Sequence, residues 1–332
     1  MSQVKVAVVG YGNVGRGVIA SIKNNPDMEL VCVVSRSPER VKKEFSTAPI
    51  FHVSEAEKAF KATGAVVAIL CGGSKDDLPK FGPEMAKLIN TVDSFDNHIH
   101  IPDYFKTMDK TAKAAGHVSV ISTGWDPGIF SLERTLAGAF LPGSRAYGFY
   151  GLGPAGGLSM GHSDALRTIP GVKDARQFTH AIPSAIKKVQ NGENPDFTPG
   201  DMHTRECFVV LEEGADKVAV TKAIMEMPGY FAPYDTTVNF ITQEELNTRY
   251  AGFPHDGMVA AAGVTGKGNP ARIEYRCVWG SNPEATANVL VAHARAAAKL
   301  AAEKRSGAFT ILDIPASYFT TKSREELLAH WM

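Results

Sequence analysis

The first third of the chain is built from short apolar runs that do not alternate with polar residues. KVAVVG (5–10), MELVCVVS (28–35), AVVAILCGG (65–73), LINTVD (88–93) and HVSVIST (117–123) are rich in Val, Ile and Leu. Continuous, β-branched runs of this length predict strands covered on both faces, as in a parallel sheet. Between them, GRGVIASIKNN (15–25) and DYFKTMDKTAKAA (103–115) read as helices. Strand and helix in alternation predict an α/β fold, a Rossmann-type doubly wound parallel sheet over residues 1–125. The middle of the chain differs. CFVVLEE (207–213), TTVNFIT (236–242) and ARIEYRCVWG (271–280) alternate or carry β-branched and aromatic residues between turns. They predict a mixed or antiparallel sheet in a second, α+β domain over residues 126–294. ATANVLVAHARAAAKLAAEK (285–304) is a strong helix former, and the segment 295–332 is expected to pack back on the first domain. No internal repeat or low-complexity tract interrupts this plan.

Composition narrows the class. The 332 residues are 44% apolar and 21% charged, with zero formal net charge. That balance argues against a broad basic surface for nucleic acid and leaves room for a local cationic pocket. No apolar run reaches the length of a membrane span. The opening MSQVKVAVVGYG enters a strand pattern without the apolar core and small-residue cleavage site of an export signal. Cys32, Cys71, Cys207 and Cys277 are far apart and read as reduced core thiols, not as a disulfide frame or a metal site. A cytoplasmic protein is expected.

The first strand runs into Gly10-x-Gly12-x-x-Gly15. At a strand-to-helix junction, the first Gly permits the tight turn, the second lets backbone approach a pyrophosphate, and the third allows close packing of helix on strand. The helix N-terminus offers free N–H groups to the anion. This predicts a dinucleotide site. At the end of the second strand stands Ser35-Arg36-Ser37 in place of the acidic residue that accepts the ribose 2′-OH of NAD. A guanidinium flanked by two hydroxyls suits a 2′-phosphate, so NADP is the expected cofactor. CGGS, Cys71-Gly72-Gly73-Ser74, lies at the carboxyl end of a later strand, where small residues leave room for the cofactor.

Ligands of open α/β sheets bind beyond the carboxyl ends of the strands. TVDSFDNH (91–98) and STGWDPG (122–128) each place an Asp just after a strand. Two readings stand side by side. Asp93, Asp96 and Asp126 can serve as helix caps, or carboxylates there can face a cationic group beside the nicotinamide.

The chain resembles the meso-diaminopimelate dehydrogenase family. The resemblance is carried in order by GYGNVGR, SRS, TVDSFDNH, STGWDPGIFS, GHSDALRTIPGV, HTRECFVV, NFI, FPHDG and SGAFT, which span nearly the whole chain. STGWDPG and GHSDALR are too long and unusual to follow from generic Rossmann constraints. The family oxidises the D-configured centre of meso-2,6-diaminopimelate with NADP⁺ to L-2-amino-6-oxopimelate and ammonia, and runs the reverse reductive amination in lysine and cell-wall precursor synthesis. The resemblance implies a homodimer, with the second domain binding substrate and forming much of the interface. It implies that Tyr11, Gly12, Asn13 and Val14 hold the pyrophosphate region and that Ser35, Arg36 and Ser37 hold the 2′-phosphate. Cys71 to Ser74, Ser94, Phe95 and Asp96 contact the remaining cofactor, and Thr123, Gly124, Trp125, Asp126 and Pro127 lie on the nicotinamide side. At the reacting centre it implies Asp96 and Asp126, walled by Trp125, with Tyr150, Met160 and Gly161 at the same end. Thr179, Arg205 and His255 hold the distal carboxylate, and Asn282 touches the substrate.

Taken alone, Arg205 reads as a strand-edge Arg and His255 as a loop His. A substrate with two carboxylates and two amines calls for cations at some points and anions at others. Arg205 suits a carboxylate clamp, and the two Asp residues suit the reacting amine. Which of them serves as base is left open. The loop GLGPAGGLSMGHSD (151–164) is longer than in some members, and Met160 stands where others carry Gln. A different NADP-linked reductase and an NADP-sensing regulator remain the competing readings.

Overall fold

The structure, a computed structural model, describes residues 3–332. Its strands are β1 (Val4–Val9), β2 (Met28–Ser35), β3 (Ile50–His52), β4 (Val67–Leu70), β5 (Asn90–Asp93), β6 (Val118–Val120) and β7 (Ala146–Tyr150). They continue with β8 (Gly157–Leu158), β9 (Val172–Ala181), β10 (His203–Leu211), β11 (Asp235–Phe240), β12 (His255–Val264), β13 (Pro270–Trp279) and β14 (Gly307–Phe309). The chain forms two compact units, one from Met1–Leu132 with Pro283–Met332 and the other from Glu133–Asn282. The sequence places these changes of unit at 125 and 295. The structure places the second earlier because the returning helix Asn282–Ala302 belongs to the first unit almost from its start.

The first unit holds a seven-stranded sheet in the order β14-β6-β5-β4-β1-β2-β3, parallel throughout. Its apolar runs are continuous because both faces are covered. Val6, Val8, Val33, Val67, Ile69 and Val92 join one buried cluster. Their neighbours Ala7, Val9, Cys32, Val34, Ala68 and Leu70 join another. Alternate residues of a strand point to opposite faces, so a strand buried on both sides shows no polar alternation. The helix Asn282–Ala302 covers the first of these faces with Ala287, Leu290, Val291, Ala294 and Ala297. Arg295 fastens that helix, donating from Nε to Asp27 Oδ2 at 2.5 Å and from Nη2 to Asp27 Oδ1 at 2.8 Å. The order reverses at β1, which lies between β4 and β2, and this is where such sheets open a crevice.

The second unit contains two sheets where the sequence predicts one. The first, β11-β10-β9-β8, is mixed, with β10 and β11 parallel and the remaining pairs antiparallel. The second, β13-β12-β7, is antiparallel. Arg205 is the third residue of β10, which is paired on both sides, with β9 and with β11. The loop reading of His255 is corrected here. His255 is not in a loop: it opens β12, paired with Trp279, and is 7% exposed.

Candidate active site

In the first unit the three glycines each answer to a different physical demand. Gly10 leaves β1 with φ +102°, and a Cβ there would lie 3.2 Å from the Cys71 carbonyl oxygen. That is backbone geometry glycine adopts freely. A Cβ on Gly15 would fall 2.2 Å from the Gly10 carbonyl oxygen, so helix and turn touch. Gly12 has nothing within 4 Å of its Cβ position. The helix Asn13–Lys23 starts behind it with no side-chain cap and no acidic residue in its first turn. Open space in front of uncapped amides at a helix N-terminus fits a diphosphate. Gly12 and Asn13 are exposed and Val14 is half-buried. The Tyr11 ring is turned inward, 9% exposed, beside Phe45.

At the end of β2, Ser35 Oγ accepts the Ser37 N–H at 3.1 Å. Arg36 projects outward and meets a carboxylate that its own stretch of sequence does not contain. Its Nη1 lies 2.9 Å from Asp77 Oδ1, and its Nη2 donates to Asp77 Oδ2 at 3.3 Å. Asp77 opens the helix Asp77–Ala86 just after Cys71–Ser74 and also accepts the Gly73 N–H at 3.2 Å. A Cβ on Gly72 would sit 2.7 Å from the Asp77 Cβ, so this carboxylate rests on the glycine loop. Burial pushes the Cys71 thiol up to about 12, which keeps it protonated.

The two acidic lips are organised by a residue read as a possible cap. Asp93, fully buried at the end of β5, accepts the Phe95 N–H at 3.0 Å, the Ser122 N–H at 3.1 Å and the Tyr104 hydroxyl at 2.8 Å. One carboxylate thus fastens both loops. Burial drives its pKa up to about 6 against those three donors. Phe95 is 2% exposed and stacked on Tyr104 at 4.2 Å, so its ring is core and only its backbone is offered to a ligand. Asp96 is exposed, and its N–H donates to Ser74 Oγ at 3.0 Å. It is not a cap, since the short helix His98–His100 has Asn97 at that position. The second lip closes on itself: the Gly124 N–H donates to the Pro127 carbonyl at 2.8 Å. A Cβ on Gly128, at φ +131°, would fall 1.8 Å from the Gly124 carbonyl oxygen. Pro and Gly therefore follow the Trp-Asp pair because the chain turns back there with no room for another side chain. Trp125 is 6% exposed and set edge-on to Phe130 at 5.3 Å, while Asp126 is half-buried. Thr123 is fully buried, and its Oγ1 has no hydrogen-bond partner.

In the second unit, Arg205 faces Thr179 across the β10–β9 pair and donates from Nη1 to Thr179 Oγ1. Gln177 Nε2 donates to the same hydroxyl at 3.3 Å. The Tyr234 ring centroid lies 4.0 Å from the guanidinium carbon. Arg205 is 8% exposed, its Nε is buried without a partner, and among the described residues no carboxylate pairs with it. Burial draws its pKa down from the usual value. Two neighbouring imidazoles, His162 and His203, are held down at about 3, by burial first and the Arg205 charge second, so both are neutral at neutral pH. Tyr150 stacks on His203 at 5.2 Å and meets His255 edge-on at 6.5 Å. The His255 ring rests where a Gly157 Cβ would be, within 2.4 Å of its Nδ1. Asn282 Nδ2 donates to the Leu158 carbonyl at 3.1 Å, which fastens β8 in the middle of the 151–164 stretch. Gly161 is open on its Cβ side, whereas Met160 packs against the cluster of Leu158, Phe178 and Phe208.

Sequence reasoning missed Asp77, Gln177, His162, His203 and Tyr234. His162 lies inside GHSDALR and His203 inside HTRECFVV, so both were within reach. Tyr234 and Asp77 belong to no such stretch.

Known proteins match over the full length. The diaminopimelic acid dehydrogenase C-terminal domain family matches residues 124–281, and the oxidoreductase family with NAD-binding Rossmann fold matches residues 4–90. The meso-diaminopimelate D-dehydrogenase of Lysinibacillus sphaericus is 48% identical over 327 residues, covering 98% of each chain. A Corynebacterium glutamicum DAP dehydrogenase in complex with DAP superposes with a TM-score of 0.93 at 39% identity, covering 100% of both chains. An engineered D-amino acid dehydrogenase bound to NADP⁺ gives 0.90 at 38% identity, again over 100% of both.

Proposed function

Because the chain belongs to the meso-diaminopimelate D-dehydrogenase family, we propose that it oxidises the D-centre of meso-2,6-diaminopimelate with NADP⁺. The products are L-2-amino-6-oxopimelate and ammonia, and the reverse reaction is reductive amination. The observation that carries this reading is Arg205, a buried cation that no carboxylate accompanies among the described residues. Such a group is unfavourable unless a ligand anion completes it. A guanidinium fork with a hydroxyl and neutral imidazoles around it suits a substrate carboxylate.

Arg205, Thr179 and His255 hold the carboxylate of the L-centre, with Tyr150, Met160, Gly161 and Asn282 beside the substrate. Asp96 and Asp126 accept hydrogen bonds from the reacting amine and favour the positive charge that grows on its nitrogen. Bound NADP⁺ supplies the acceptor for the hydride that leaves the D-centre. Water then adds to the iminium carbon, a carboxylate or a water it orients relays a proton from that water to the nitrogen, and the C–N bond breaks as the C=O bond forms, releasing ammonia. Trp125 walls this end. Gly10, Gly12 and Gly15, with the amides of Tyr11, Asn13 and Val14, receive the diphosphate. Ser35, Arg36 and Ser37 receive the 2′-phosphate. Cys71 to Ser74, Ser94, Phe95, Thr123, Gly124 and Pro127 border the rest of the cofactor.

The active species is a homodimer that uses a sheet of the second unit, a reading supported by β13, an edge strand with alternate residues exposed and Val278 70% exposed. A cytoplasmic location is supported by four free cysteines. Among the described residues no helix is long and apolar enough to cross a membrane.

The test is NADPH formation from each pure stereoisomer of diaminopimelate. With the far carboxylate and the reacting amine both held, only a D-centre directs its hydrogen at the nicotinamide. The meso isomer is oxidised and the L,L isomer is not. Comparable rates on the two would sink the proposal.

A further inference from the structure

We propose that Asp77 sets the strength of the chain's preference for NADP⁺ over NAD⁺, because it holds Arg36 with an internal carboxylate that the 2′-phosphate has to displace. The inference rests on the reading that Arg36 receives that phosphate. Both terminal nitrogens of the Arg36 fork face the two oxygens of Asp77, at 2.9 and 3.3 Å. A phosphate monoester takes the same end-on, two-pronged approach to a guanidinium. The two anions therefore compete for one fork, and where they are both near it they repel each other. NAD⁺ carries a neutral hydroxyl at that position, so it neither displaces Asp77 nor is repelled. The penalty falls on NADP⁺ alone.

The two partners differ in freedom, which decides what moves. Asp77 is anchored three ways: it opens the helix Asp77–Ala86, accepts the Gly73 N–H at 3.2 Å, and sits against Gly72 with no space for a Cβ. The Arg36 side chain is 66% exposed and the Asp77 side chain 25%. The guanidinium therefore swings from a fixed carboxylate to the arriving phosphate. Gly72 and Gly73, which border the cofactor, are the residues that hold this carboxylate in place. Asp77 is in this sense a specificity-determining residue, since the fastening of the glycine loop and the discount on NADP⁺ affinity come from one side chain.

The experiment measures dissociation constants of NADP⁺ and NAD⁺ without substrate, by calorimetry or intrinsic fluorescence, for the full-length wild type, Asp77→Asn and Arg36→Met. Asn keeps an oxygen for the Gly73 amide and removes the charge. In Asp77→Asn, NADP⁺ binds roughly twofold to fivefold more tightly, the range of a half-exposed ion pair worth up to ~1 kcal/mol at 1.4 kcal/mol per decade. NAD⁺ changes by less than about twofold in the same variant, since it has no charge at that position. Asp77→Ser, which also lacks the charge, moves in the same direction. Arg36→Met weakens NADP⁺ alone. If Arg36→Met leaves NADP⁺ binding unchanged, the phosphate reading itself is wrong. If Arg36→Met weakens NADP⁺ while both Asp77 variants bind it as the wild type does, or more weakly, Asp77 is an ordinary loop fastener and the proposal is overturned.

Discussion

At the scale of single residues, burial decides which charges the chain keeps. Arg205 stays cationic among groups that do not compete with it, because His162 and His203 are held neutral and Thr179 and Gln177 are uncharged. Arg205→Met therefore removes the fixed positive charge of that cluster. KM for diaminopimelate rises about tenfold to a hundredfold, the size of a charge-assisted hydrogen-bonded contact. The smaller loss in kcat reflects poorer alignment of the far end. A D-amino acid without a distal carboxylate serves as control and is far less affected. An unchanged KM for diaminopimelate would take Arg205 out of the site. From sequence, an Arg in HTRECFVV is an undistinguished strand residue, since local pattern does not record what surrounds a side chain in space.

At the scale of elements, Asp93 joins the loop after β5 to the loop after β6, and its ionisation has a readable sign. Its folded pKa, about 6, lies above the ordinary 3.8. A raised pKa means the fold favours the protonated form. The stability it contributes is full at low pH and is lost as pH rises from about 4 to about 6. Asp93→Asn has no such loss. The unfolding free energy of the variant relative to wild type should therefore rise over this interval, by on the order of 3 kcal/mol. Denaturant melts of both proteins at pH 4, 5, 6 and 7 check this, and a pH-independent difference would show that Asp93 does not carry the buried charge. The short strands show the opposite limit of legibility. β3 and β14 have three residues each and β8 has two, too few for any period to show, and they form only because a neighbouring strand offers an edge.

At the scale of the whole molecule, the C-terminal segment completes the first unit, with β14 on the edge of its sheet and Arg295 paired to Asp27, some 268 positions earlier. The Arg295 hydrogen bonds pull the Asp27 pKa down, so this contact is present above pH 4 and lost as pH falls below that range. The second unit leaves β13 at a sheet edge, and the proposed dimer would cover a sheet of this unit. Light scattering on the eluted protein should give the mass of two chains at micromolar concentration. Val278→Asp, which places a charge on the exposed side of β13, should shift that mass toward one chain. A wild-type mass of a single chain would remove the dimer from the proposal.

The sequence alone determined what depends on neighbours along the chain. A strand covered on both faces shows a continuous apolar run, a tight turn before a helix requires Gly10 and Gly15, and the Trp-Asp lip needs Pro127 and Gly128 to turn back. The family, too, was legible in stretches such as STGWDPG, because unusual local geometry restricts residue choice over several consecutive positions. What only the tertiary structure decided depends on residues distant in sequence meeting in space. Arg36 meets Asp77 across 41 positions, and Asp93 meets Ser122 across 29. Arg205 gains Tyr234 as a neighbour through the β10–β11 pairing. Such contacts leave no periodicity and no motif, because the partner's identity is set by the packing of whole elements and not by the local run in which either residue stands.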